Sequence, residues 1–363
     1  MPKMVSQSAL MVSPLDLAAL VINLVLANVR VIAPVLAKDN PEQTDYLPIR
    51  GLEDAVLGGP LPRRSLKEFF LPASEVLLRY RQGKKDVEVE EVRTTFPPQV
   101  ILGARPCDAA GIEVLDRVMG WDYRDELWFG RREATTIVSL ACPGVDACCF
   151  CTAVGLGPDS TKGSDVLLVP VEKGYLAQAI TAKGEALLNR EPMEELSVDA
   201  AGVDKAEALW KLAREKAPEN LPPIPPTMPE WLAKNFNDNF WNSIALRCHG
   251  CGACAALCPT CHCFDIVDEH ESYKQGVRRR NWDSCQTAKF TMHASNYNPR
   301  KTQIERFRQR VMHKFSIYPR RFGAILCTGC GRCSRGCPAG MNLPEVLGQL
   351  VQLAAAEPQG GSQ

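Results

Sequence analysis

Cys248-His-Gly-Cys-Gly-Ala-Cys-Ala-Ala-Leu-Cys-Pro259 and Cys327-Thr-Gly-Cys-Gly-Arg-Cys-Ser-Arg-Gly-Cys-Pro338 share one spacing, C-x2-C-x2-C-x3-C-P. That is the ligand run of paired [4Fe-4S] clusters. Two-residue gaps let three sulfurs of a tight loop reach three corners of a cubane, and Gly252, Ala253, Gly329 and Gly331 are small enough for the backbone to approach it. In the two-cluster arrangement the fourth cysteine of each run serves the other cluster. The expected sets are therefore Cys248, Cys251, Cys254 with Cys337, and Cys327, Cys330, Cys333 with Cys258. Paired C-x2-C units also build zinc sites, but zinc patterns rarely place four cysteines so densely ahead of a proline. Cys258-Pro-Thr-Cys-His262 spells the attachment motif of a covalent haem. Cys258 is, however, already required by the cluster run.

Around these motifs the chain has 363 residues, 45% of them apolar, and a formal net charge of zero. Such a composition supports two or three domains with packed cores and argues against a nucleic-acid binder. Sixteen cysteines in so long a chain read as ligand thiolates rather than as a disulfide framework, which belongs to small secreted domains. The most hydrophobic run, Leu15 to Leu36, contains Asp16, Arg30 and Pro34 and reads as a buried helix followed by a strand, not a membrane span. With no convincing export signal, the cytoplasm is the expected compartment. Residues 217–231 are rich in proline and favour an extended, semi-rigid conformation. The fold class expected is α+β: an α/β domain over 1–216, a linker over 217–235, and an α-helical ferredoxin domain with two [4Fe-4S] motifs over 236–363.

In the first domain, Gln99 to Gly103 and Thr135 to Leu140 read as strands. Between them lies a helix capped by Asp108, with Ile112, Leu115 and Met119 on one face. Strand, helix, strand implies a parallel pair joined by a right-handed crossover, which puts Cys107 and Cys142 past the same sheet edge, where open α/β sheets place ligands. Cys107 would stand at a helix N-terminus, where the dipole favours a thiolate. With Cys148, Cys149 and Cys151 these residues can furnish a third site; the competing reading is buried structural thiols. In the second domain, helices are expected between Cys258 and Cys327. One starts at Asn298-Pro299 and aligns Ile304, Phe307, Val311 and Phe315, and a last one follows Asn342 with Val346, Leu347, Leu350 and Leu353. Cys261, Cys263 and Cys285 are three sulfurs, short of a cubane's four. A fourth cluster completed by another donor, such as His262, His293 or the spare cysteine of the first domain, competes there with structural thiols. Arg278, Arg279, Arg280, Arg300, Lys301, Arg306, Arg308, Arg310, His313, Lys314, Arg320 and Arg321 crowd the same region. They form either a solvated face or a set of charges that tunes anionic clusters and docks an acidic partner.

Taken together, Ser65-Leu-Lys-Glu-Phe-Phe-Leu-Pro, Gly103-Ala-Arg-Pro-Cys-Asp, Cys149-Phe-Cys-Thr, Cys258-Pro-Thr-Cys-His-Cys-Phe-Asp, Trp282-Asp-Ser-Cys, His313-Lys-Phe and Cys327-Thr-Gly-Cys-Gly-Arg-Cys resemble the iron–sulfur beta subunit of cytoplasmic sulfhydrogenases, which is similar to the iron–sulfur subunit of anaerobic sulfite reductases. Related subunits accompany heterodisulfide-reductase-like complexes. The resemblance spans roughly residues 60 to 345. It implies a non-catalytic electron conduit in a hetero-oligomer, between a subunit that binds flavin and NAD(P) and a catalytic metalloenzyme subunit. It also implies a third cluster on Cys107, Cys142, Cys149 and Cys151, with Cys148 as an extra residue. No G-x-G-x-x-G after a strand, P-loop or nucleophile with its base is evident, in keeping with a relay. The rival readings are a self-contained reductase, in which an open iron binds a sulfur species, and a zinc-stabilised scaffold.

Overall fold

The computed structural model describes residues 9–92, 95–142, 144, 146–193, 196, 215 and 221–357. Its strands are β1 (Ala9–Val12), β2 (Arg30–Ala37), β3 (Asn40–Ile49), β4 (Ser74–Gln82), β5 (Val87–Glu91), β6 (Gln99–Ala104), β7 (Thr135–Leu140), β8 (Val166–Val171), β9 (Gly174–Ala179), β10 (Phe264–Ser272) and β11 (Gln275–Trp282). Two compact units share the chain in pieces. The first takes residues 1–66, 97–224 and 327–331; the second takes 67–96, 225–326 and 332–363. One passage between them, Ile224 to Pro225, falls inside the proline-rich stretch. The exchange of residues 67–96 and 327–331 departs from the two sequential domains expected, and residues 217–220 of the expected linker lie outside the described residues.

The first unit is built on a seven-stranded sheet of order β1-β9-β8-β7-β6-β2-β3. Its centre, β8-β7-β6-β2, is parallel, while β9, β1 and β3 join antiparallel. Parallel strands covered on both faces read as unbroken apolar runs, and β6, buried throughout, has that character. The helix Pro14–Leu26 begins with a reciprocal cap between Ser13 and Asp16 and buries Leu17, Leu20, Val21 and Leu24. These pack with Val31, Val100, Val138 and Leu168 of the sheet. Helix-then-strand is thus the outcome for the hydrophobic run, and no described helix is long and apolar enough to cross a membrane.

Between β6 and β7 runs the helix Pro106–Met119, whose N-cap is Arg105, so Asp108 is not the cap expected of it. Pro106 takes the first helical position, where its missing N–H and fixed φ cost nothing, and the helix accordingly starts ahead of Asp108. Asp108 lies instead in the interior and accepts a hydrogen bond from Tyr46 Oη at 2.8 Å, while Arg105 N–H donates to the same hydroxyl at 3.2 Å. One phenol thereby clasps both sides of Cys107.

The second unit contains a four-stranded antiparallel sheet of order β10-β11-β4-β5 beside its helices. This corrects the expectation of helices and cysteine loops alone. What holds the hairpin β10–β11 is charge pairing across strands. Arg278 stands opposite Asp268 and binds it at 2.7 Å, Arg279 reaches Glu269 at 2.8 Å, and Arg280 pairs with Glu75 opposite it on β4. These three arginines of the basic group are therefore cross-strand partners. The expected helix near 298 begins later, as Gln303–Met312, because Thr302 and Glu305 form a complete capping box. Asn298 is engaged elsewhere, donating to Ala288 O and accepting from Arg300 N–H. Phe307, Val311 and Phe315 are buried as expected, and the helix continues through a π-turn segment, His313–Ile317. The final helix, Leu343–Ala356, has Asn342 at its N-cap position and buries Val346, Leu347 and Leu350.

Replacing Tyr46 by phenylalanine removes the hydroxyl shared by Arg105 and Asp108. Because one of the lost bonds goes to a buried carboxylate, Y46F is expected to destabilise the first unit by about 1.5–3 kcal/mol in urea titration followed by circular dichroism.

Candidate metal centres

The two motifs have the same backbone course. Gly250 and Gly252, two and four residues after Cys248, have φ of 71° and 78°; Gly329 and Gly331, at the same offsets from Cys327, have 64° and 72°. Each loop then runs into a four-residue helix, Ala253–Ala256 or Arg332–Arg335. Left-handed residues alternating with right-handed ones turn successive N–H groups into an anion-binding concavity, and only glycine takes that conformation freely. A repeated spacing in sequence is therefore a repeated cradle in space.

In the second unit, Cys248, Cys251, Cys254, Cys333 and Cys337 line one cavity, whose wall includes Phe307, Met341, Leu343 and Val346. The first expected ligand set is thus brought together complete. Met341 N–H donates to Cys337 Sγ at 3.4 Å and Gln303 Nε2 to Cys248 Sγ at 3.3 Å. Arg310 also lines the cavity; its side chain is buried, and its Nη2 has no hydrogen-bond partner. Burial pushes the Cys254 thiol up to about 11, so an anionic thiolate there requires a compensating cation. Of the second expected set, Cys258 and Cys333 belong to the second unit and Cys327 and Cys330 to the first.

Further along the second unit lie Cys258, Cys261, Cys263 and Cys285, whose thiols shift one another's titration in two pairs, Cys258 with Cys261 and Cys263 with Cys285. Three cations are buried with them. Lys314 Nζ donates to Cys258 Sγ at 3.4 Å and Thr260 Oγ1 at 2.8 Å, and Arg310 Nη1 donates to Cys261 Sγ at 3.3 Å. Lys67, 2% exposed, lies over the Trp282 ring and donates to Ala255 O. Burial works against the Arg310 charge, and the surrounding sulfurs of Cys254, Cys261, Cys333 and Cys258 favour it. The hydrogen bond from Cys263, with Arg310 and Lys314 nearby, draws the Cys285 thiol down to about 6. Arg310 and Lys314, expected within the basic crowd, are turned inward, while Lys67, inside the segment 65–72, and Tyr46 carried no role in the sequence reading.

The first unit holds Cys107, Cys142, Cys148, Cys149 and Cys151. Cys107 occupies the first turn of the helix after β6, and Cys142 follows β7, which pairs parallel with β6. The loop bearing Cys148–Cys151 packs backbone to backbone on the start of the second motif, where Phe150 N–H donates to Gly329 O at 2.8 Å. Burial, and then the neighbouring Cys142, push the Cys151 thiol up to about 11.

Residues 247–341 match the 4Fe-4S dicluster domain family. The chain is also 29% identical over 288 residues to sulfhydrogenase 2 subunit beta of Pyrococcus furiosus, covering 77% of this chain and 83% of that one. The chain is thus similar to a sulfhydrogenase beta subunit and carries a match to a 4Fe-4S dicluster domain. No solved structure matches it significantly. The dicluster domain provides for at least two [4Fe-4S] clusters, and its boundaries take in both cysteine runs.

The residues of the dicluster domain fit such a group. Thiols converge on a cavity with an apolar wall, glycine loops leave room for the backbone, and an orphaned guanidinium N–H awaits an electron-rich acceptor. Among the described residues no three histidine, cysteine or carboxylate side chains form a site for a single metal ion. The sulfurs of a cubane bind separate irons and stand farther apart.

A β-carbon at Gly329 would lie 2.5 Å from Cys151 Cα and N and from Phe150 C, all backbone atoms. In addition, the left-handed conformation costs a non-glycine residue about 1–2 kcal/mol. G329A is expected to destabilise the first unit by more than that and to lower its iron content after anaerobic reconstitution, read by iron and sulfide analysis.

Proposed function

We propose that this chain is the iron–sulfur electron-transfer subunit of a multisubunit cytoplasmic oxidoreductase. It relays single electrons between a partner that handles flavin and NAD(P)H and a catalytic subunit of hydrogenase, sulfite reductase or heterodisulfide-reductase type. The observation that carries this reading is the cavity on which Cys248, Cys251, Cys254 and Cys337 converge beside the inward-turned Arg310. The motif rule assigns those four cysteines to a first cluster and Cys327, Cys330, Cys333 and Cys258 to a second. A third cluster falls on Cys107, Cys142, Cys149 and Cys151. Its support is the parallel β6–β7 pair, which sends the segments bearing Cys107 and Cys142 out from neighbouring strand ends, together with a helix N-terminus that favours thiolate.

When bound, such clusters accept and release one electron at a time. The chain's own residues do the rest. Cysteine thiolates hold the irons, Phe307, Met341, Leu343 and Val346 exclude water, and the N–H donors of Gln303, Met341 and Arg310 stabilise the reduced, more negative state. Cys251 is exposed, which brings the first site to the surface of the second unit, where a partner can exchange electrons with it.

Dithionite reduction of the isolated, reconstituted chain is expected to give four-iron signals by electron paramagnetic resonance, with about eight or more irons per chain. C251S should remove about four of these irons and one signal while leaving the other. A colourless, zinc-rich protein without such signals would sink the relay. Turnover of a sulfur species by the chain alone, with an artificial donor, would favour the self-contained reductase.

A further inference from the structure

Cys261, Cys263 and Cys285 lie outside both motifs, yet the fold of the second unit gathers them. β10 starts immediately after Cys263, and β11 ends three residues before Cys285. The register that sets Phe264 opposite Trp282 brings the two flanks of the hairpin together, and Asp283 N–H closes them by donating to Cys263 O at 3.0 Å. Cys263 and Cys285 therefore flank the same end of the hairpin although 21 residues separate them. Cys261 and Cys258 accept hydrogen bonds from the inward-turned Arg310 and Lys314 respectively.

The surroundings do not suit neutral structural thiols. A buried cation needs an anion near it, since an uncompensated charge in the interior costs several kcal/mol. Lys67 bonds to the carbonyls of Ala255 and Ala256 and lies on an indole face, and Arg310 donates to Cys261 and keeps one nitrogen orphaned. Carbonyls, an indole and a protonated thiol bring no formal negative charge. Thiolates bound to iron do carry it, and Lys314 adds a further cation beside Cys258. Three inward-turned cations around four sulfurs form a setting built for anionic sulfur.

We propose that Cys261, Cys263 and Cys285 ligate an iron–sulfur cluster of their own, separate from the two motif clusters and from the cysteines of the first unit. The proposal rests on the reading of the chain as an iron–sulfur protein and names a further centre within it. Cys258 stays with its motif, and the three-residue step to Cys261 makes the two groups neighbours in the chain. The fourth iron is left to a non-cysteine donor. His262 is suited to this, because its Nδ1, 3.1 Å from Thr260 O, must donate to that carbonyl, which leaves a lone pair on Nε2 while the ring is neutral.

The test is thiol mapping on the full chain, reconstituted anaerobically and treated with iodoacetamide before and after iron is stripped with a chelator. Cys261, Cys263 and Cys285 should be blocked in the loaded chain and alkylated in the folded, iron-free chain. The triple variant C261S/C263S/C285S should lose about four irons and keep the signals of the dicluster domain. Equal alkylation of the three thiols with and without iron, or wild-type iron in the triple variant, would overturn the proposal. If the triple variant fails to fold, the mapping on the wild-type chain decides. Should the loaded chain show no four-iron signals at all, the relay reading fails first; dicluster signals alongside three reactive thiols sink only this inference.

Discussion

The constraint on which the second unit turns is electrostatic: many thiolates must be kept anionic inside a protein. An isolated charge in the interior is pushed to its neutral form, as burial does to the Cys254 and Cys151 thiols. The structure answers with cations that are themselves buried. Arg310 lines the cavity with Cys254 and Cys333 and donates to Cys261, and these sulfurs together with Cys258 favour its charge. Neither partner would be tolerated there alone. The capping box at Thr302, the register of the helix that follows and the π-turn segment all serve to deliver Arg310 and Lys314 to these positions.

The same electrostatics explain which parts of the site were legible in sequence. Cysteine spacing is a covalent ruler, and a run such as Cys248 to Pro259 specifies its loop whatever surrounds it. The glycines at matching offsets adopt the left-handed conformation that the motif requires. The parallel pair β6 and β7 was equally legible, because strands buried on both faces write themselves as continuous apolar runs. Arg310 and Lys314 were not. A helix reading sorts residues by affinity for water and sends cations to the outside, and the anions that draw these two inward belong to a group the sequence does not spell.

The hairpin β10–β11 escaped for a related reason. Its outward residues are charged on both strands, so it shows no clear alternation, and its stability comes from partners such as Glu75 and Asp268 whose pairing is set by the fold. Asp108 misled in the opposite way. It has the chemistry of a cap, but the proline two residues earlier fixed the start of the helix, and the carboxylate was put to use under Tyr46. The box Thr302-Gln-Ile-Glu305, on the other hand, is fully written in the sequence, and Asn298-Pro299 mimics it a few residues too early.

The short segment 327–331, which completes the first unit by lying under the Cys148–Cys151 loop, has a bearing on biosynthesis. That unit cannot be whole until the ribosome has delivered residue 331, and the second waits for a still later helix. A nascent chain released early would therefore expose unfinished cysteine loops, so iron delivery is best timed to follow translation rather than accompany it. No single proteolytic cut separates one unit from the other, because each is assembled from three segments that alternate along the chain.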